Sequence, residues 1–169
     1  MQFLYLIIPI IVVCLDQGLK FFIANNYALG EVHQIIPGIL SFNYLQNEGA
    51  AWNILPGQMW LFYIISVVAI LVCLYYLFRH QKQGKLFDVG ISMVLGGILG
   101  NLIDRIHLKY VIDMIQVDFI HFNIFNVADS AITIGIILVF IYLIFFDESD
   151  EEHDWKLSFT GKKWKHEAG

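Results

Sequence analysis

Charge is scarce in this chain. Of 169 residues, only 15% are Asp, Glu, Lys or Arg, whereas 58% are hydrophobic. That balance is too apolar for an ordinary soluble domain, and the length suits a single domain. The ten Lys and Arg residues form no basic patch, so nucleic acid is not a partner the sequence suggests. Cysteine is scarcer still. Cys14 and Cys73 both lie inside apolar runs. They form neither a disulfide framework nor a metal-ligand spacing, and each reads as buried packing. No HExxH and no clustered His/Cys signature points to zinc, so no metal and no cofactor is expected. The formal net charge of −5 says little about a substrate. Asp147, Glu148, Asp150, Glu151, Glu152 and Asp154 stand in one tail run and supply more than the whole excess.

What the chain does have is long apolar runs, at about 3–23, 59–78, 86–106 and 127–146. Each is near the roughly 20 residues that cross a bilayer's hydrocarbon core. The first lacks the basic start, short length and small-residue cleavage site of a signal peptide, and it ends in Asp16-Gln17-Gly18-Leu19-Lys20. It reads as an uncleaved transmembrane helix, with Pro9 a candidate kink. The fold class expected is therefore a mainly α integral membrane protein of four transmembrane helices. The membrane domain covers 1–146, and a charged tail covers 147–169. The tail reads as a solvated cytoplasmic extension, with lipid docking of Lys162, Lys163, Trp164 and Lys165 as an alternative. The outer segment 24–58 is long for a connector. The alternation in Gly38-Ile39-Leu40-Ser41-Phe42-Asn43-Tyr44-Leu45 suggests a small β element there.

Arg79, Lys82 and Lys85 occupy the short loop after the second run, and Lys156, Lys162, Lys163 and Lys165 the tail. The segment 24–58 has no Lys or Arg, and 107–126 has only Lys109. By the positive-inside rule, the short loop and both termini are cytoplasmic and the two longer loops lie outside. Asp16 and Lys20, then Asn101, Asp104 and Arg105, then Asp113 in the second outer loop, and finally Asp129 all collect at the outer face. Ionisable groups at such depths face the protein interior or a water-filled cavity and mark function.

Asp113 is forced among Val111, Ile112, Met114 and Ile115, and Asp129 opens the last run. Two such carboxylates brought together would share one proton, the arrangement in which an aspartate pair activates water. Asp118 and His121 read as solvated. Asp104 reads as an acid that pairs elsewhere or caps structure. Ser130 lacks a His base, so a serine hydrolase reading is poor. Asp16 and Lys20 stand i,i+4 and can pair on one helix face. A different class stays open on these residues alone. Intramembrane Asp, Lys and Arg also mark ion paths, so a small ion-coupled transporter or transporter subunit is the alternative, with a structural subunit third.

The ordered pieces Asp16-x-x-x-Lys20, Asn47-x-Gly49-x-Ala51, Gly96-Gly97-x-x-Gly100-Asn101-x-x-Asp104-Arg105, Val111-Ile112-Asp113 and Phe125-Asn126-x-Ala128-Asp129-Ser130 resemble the lipoprotein signal peptidases, or signal peptidase II. The resemblance covers nearly the whole membrane part. It implies an aspartic endopeptidase of the bacterial cell membrane that cuts prolipoprotein signal peptides before the diacylglyceryl-modified cysteine, with membrane lipid around it. It places Asp113 and Asp129 on the catalytic positions. Asp16, Lys20, Asn47, Gly49, Asn101, Arg105 and Asn126 fall on positions that bind substrate or support the site. A monomer is expected. Met114 stands where the family often has Phe, and the tail is outside the family pattern.

Overall fold

The computed structural model describes residues 5–49, 57–79 and 84–146. Ala51, the tail 147–169 and Lys82 of the short loop, on which the orientation reading partly rests, lie outside the described residues. Among the described residues, four helices are long and apolar enough to cross a membrane: α1 (Ile7–Asn26), α2 (Met59–Arg79), α3 (Lys85–His107) and α4 (Val127–Phe145). Their exposed sides carry Ile, Leu, Val and Phe, as surfaces facing lipid do.

α3 is the hub, packing on α1, α2 and α4. Its seam with α4 is made of small residues. A Cβ on Gly97 would run into the carbonyl oxygen of Ala128, and one on Gly100 would sit 2.6 Å from Asp16 Oδ2. The absent side chains let α4's first turn and the Asp16 carboxylate reach the α3 backbone. α1 buries one helical face: Pro9, Val12, Asp16, Lys20 and Ile23. Pro9 lies in the first turn, where its missing N–H costs no intrahelical bond, so it ends no hydrogen-bond ladder. Cys73 is buried, but Cys14 is exposed on the far side of α1, against expectation. An apolar run looks alike whether a residue meets protein or lipid.

The segment after α1 forms a hairpin, β1 (Val32–Ile36) and β2 (Leu40–Asn47), turned at Gly38 with φ 72°. A third strand, β3 (Val111–Val117), pairs antiparallel with β2, giving the order β1-β2-β3. β3 corrects the reading of Asp113 as a loop acid. Behind the sheet, Tyr44, Ile112 and Met114 pack on Ile23 of α1. Met114 is fully buried there, so the residue standing in for the family's Phe is part of the core. Asp118 is also corrected. It is half-buried and accepts from Ser41 Oγ at 2.6 Å and Gln116 Nε2 at 3.0 Å, whereas His121 is exposed.

Candidate active site

α4 begins with a capping box. Asn126 is the N-cap, its Oδ1 accepting the Asp129 N–H at 2.9 Å, while Asp129 Oδ2 accepts the Asn126 N–H at 3.2 Å. The orphan N–H groups of a helix start are satisfied this way, and the positive end of the helix dipole favours an acid there. Asp129 Oδ1 accepts from Asn101 Nδ2 on α3 at 2.8 Å.

β3 brings Asp113 to the same place. The link from α3 to β3 is short, with Lys109 in the left-handed region at φ 69°. The Ile112 N–H donates to Asp104 Oδ2 at 3.1 Å, which ties the strand to the end of α3. Asp113 Oδ1 then accepts from Asn126 Nδ2 at 2.7 Å and Oδ2 from Asn47 Nδ2 at 3.0 Å. Both acids line one cavity of about 540 Å³, whose wall also includes Asn47, Gly49, Asn101 and Arg105 together with the apolar Phe122, Ile132 and Ile134.

Three asparagines grip the two carboxyls, and each has its amide fixed by a donor on its oxygen. Asn47 Oδ1 accepts the Gly49 N–H at 2.9 Å. Asn126 Oδ1 accepts the Asp129 N–H. Asn101 Oδ1 accepts from Lys20 Nζ at 2.9 Å and from Asn126 Nδ2 at 3.1 Å. With the oxygens taken, all three NH₂ groups must point at carboxylates.

Beneath the asparagines lies a buried ion cluster. Lys20 Nζ is 2.8 Å from Asp16 Oδ2 and 2.9 Å from Asp104 Oδ2. The i,i+4 pair read from the sequence is therefore present. Asp16 Oδ1 also crosses to α4 and accepts the Ala128 N–H at 2.9 Å.

Burial pushes the Asp113 carboxyl up to about 7, with the nearby Asp129 charge adding to the rise and the Asn47 and Asn126 donors and Lys20 opposing it. Near neutral pH such a group exchanges its proton readily, which suits a general acid. Ser130 Oγ donates to the Asn126 carbonyl oxygen, as a helical serine does. Among the described residues, no group of three or more His, Cys, Asp or Glu side chains is placed to hold a metal ion.

The family model described as Signal peptidase (SPase) II matches residues 8–145. The chain belongs to the signal peptidase II family. It is 64% identical over 149 residues to the lipoprotein signal peptidase of Lactobacillus gasseri, covering 88% of this chain and 97% of that one. It is 46% identical over 148 residues to the lipoprotein signal peptidase of Enterococcus faecalis, covering 88% and 92%. A bacterial membrane enzyme structure solved by the in meso method at 2.3 Å resolution superposes with a TM-score of 0.79 at 34% identity, covering 98% of this chain and 94% of that one. The protein is thus an aspartic endopeptidase and a multi-pass bacterial membrane protein. Nothing among these relatives supports a transporter.

In this signal peptidase II chain, Asp113, Asp129, Asn47, Gly49, Asn101 and Arg105 border the cavity. Asn126 donates to Asp113 and Lys20 to Asn101 at the cavity wall, and Asp16 pairs with Lys20 and accepts the Ala128 N–H. Asp104 and Gln17 were not among the expected site residues. Asp104 joins α1, α3 and β3, and Gln17 Nε2 donates to Asp104 Oδ1 at 2.8 Å and to the Gly100 carbonyl oxygen at 3.1 Å. A signal for Asp104 was present: Gly97, Gly100, Asn101 and Asp104 stand at i, i+3, i+4 and i+7, one face of α3.

Proposed function

We propose that this peptidase removes the signal peptides of bacterial prolipoproteins by cutting before the diacylglyceryl-modified cysteine, with Asp113 and Asp129 activating a water. The observation that carries the reading is that two carboxyls from different elements edge one cavity, gripped by asparagine NH₂ groups, with Asp113 raised to about 7. The apolar residues in the cavity wall suit a lipid-modified substrate.

Asp129 is the ionised member, since it sits in the first turn of α4 and accepts a backbone N–H and an Asn101 donor. Asp113 carries the shared proton. Asp129 takes a proton from the water as its oxygen attacks the scissile carbonyl carbon, and Asp113 gives its proton to the carbonyl oxygen. The tetrahedral diol then collapses. The C–N bond breaks, the leaving nitrogen takes the proton held on Asp129, and a diol hydroxyl returns its proton to Asp113. The pair is thereby reset, and no covalent intermediate with the protein forms.

The site faces the outer side of the membrane, with both termini cytoplasmic, a reading supported by the Lys and Arg of the short loop and the tail.

Asp113→Asn and Asp129→Asn test the mechanism. Each keeps its shape and loses its ionisable group. Each should lose at least roughly 10²–10⁴-fold in turnover of a diacylglyceryl-modified prolipoprotein peptide while still binding it. Turnover surviving in either variant, or a trapped acyl-enzyme, would refute the dyad.

A further inference from the structure

Arg105 is a cation that no carboxylate among the described residues grips directly. It borders the cavity with Asp113 and Asp129. Yet among the described residues it forms no ion pair, and its buried Nε has no hydrogen-bond partner. What it has instead is a ring. Its guanidinium carbon lies 4.9 Å from the centroid of Phe62 on α2, and Phe62 is buried. The next residue of α2, Tyr63, donates its hydroxyl to the Arg105 carbonyl oxygen at 2.8 Å, and its ring lies 5.8 Å from Lys109 Nζ. Two successive aromatics of α2 therefore hold the two cations at the outer end of α3. α2 packs chiefly on α3 and lends no side chain to the cavity wall, so this is where it meets the chemistry.

A guanidinium left to itself would fork onto a carboxylate, the strongest pairing on offer. At this site that would quench the acid pair. An aromatic face attracts the same cation without competing for a carboxylate, and the flat guanidinium stacks on it. We propose that Phe62 is a positioning residue for the cleavage reaction: by stacking under Arg105 it keeps the guanidinium off Asp113 and Asp129 and open to the carbonyl oxygens of the bound peptide. This role rests on the reading of the cavity as the place of peptide cleavage.

The test replaces Phe62 in the full chain with mono-, di- and trifluorophenylalanine, which nearly keep the ring's size and weaken the negative charge on its face. On a diacylglyceryl-modified prolipoprotein peptide, kcat/KM should fall stepwise, by roughly five- to thirtyfold at the trifluoro ring, with Tm unmoved. In the Arg105→Gln background the same series should be flat. A flat series in the unaltered background, or equal slopes in both, overturns the proposal. A second readout needs no turnover. The chain has two arginines, Arg79 and Arg105. Isotope-labelled arginine NMR should show a ring-current shift on the Arg105 guanidinium that disappears in Phe62→Leu, and an unchanged resonance overturns the stacking. An unaltered chain that cuts no such peptide would count against the proposed function instead, and the NMR result would still decide the Phe62 contact.

Discussion

Removing the Lys20 ammonium is the sharpest perturbation the structure offers. Lys20 is 2% exposed, and its two acid partners Asp16 and Asp104 are 0% and 2% exposed. Lys20→Met keeps much of the bulk and takes away the charge. Breaking a buried ion pair from one side costs about 3–5 kcal/mol, because the partner is left charged and dry. Here one cation serves two carboxylates, which places the cost near the upper end. For a chain of this size, that corresponds to a fall in Tm of roughly 8–20 °C. Thermal denaturation in detergent micelles, followed by tryptophan fluorescence, reads it directly. Adding Asp104→Asn to Lys20→Met removes one orphaned charge and should recover part of the loss. Activity should fall further than the folded fraction does. Without the 2.9 Å bond from Lys20, Asn101 Oδ1 loses its charged donor, and the amide is freer to turn away from Asp129. A Lys20→Met protein melting within about 2 °C of the unaltered one would refute this account of the cluster.

The pH response should follow Asp113. Turnover needs its proton, so activity should fall as pH rises through about 7, which a pH–rate profile in detergent will show. Its folded value lies above the ordinary 3.8, so the proton stabilises the folded chain; that stability is full below the ordinary value and is lost as pH rises through about 7, by at most about 4 kcal/mol. Asp113→Asn should flatten this dependence and melt higher than the unaltered protein at alkaline pH. Gly97→Ala should force α4's first turn away from α3, since the new methyl would meet the Ala128 carbonyl oxygen. Overpacking of this kind costs about 1–3 kcal/mol, and because Asp129 is the next residue, kcat should drop disproportionately. Gly18→Ala is the control. Nothing lies within 4 Å of the added methyl, so Tm should hold or rise with better helix propensity, and kcat should stay unchanged.

Much of this was legible along the chain. The spans were readable because crossing a bilayer is a demand on composition over about 20 consecutive residues. The acids stood out because a carboxylate in an apolar run contradicts its surroundings, and the Asp16–Lys20 pair followed from helix geometry alone. The ordered motifs carried the family likeness. β3 was not legible. Val-Ile-Asp-Met-Ile-Gln-Val has no clean alternation, and its register is set by pairing with β2, where Leu45 meets Asp113. Cys14 was misread because lipid and protein interior select the same residue types. Nor could the sequence say which way three asparagine amides turn, that Asp16 would cap a helix beginning more than a hundred residues later, or that Phe62 would lie under Arg105. Periodicity and local pairing are written within a few residues. Those contacts depend on the rotation and depth of one helix against another, which the packing of the whole bundle decides, above all where Gly97 and Gly100 let α1, α3 and α4 close on each other.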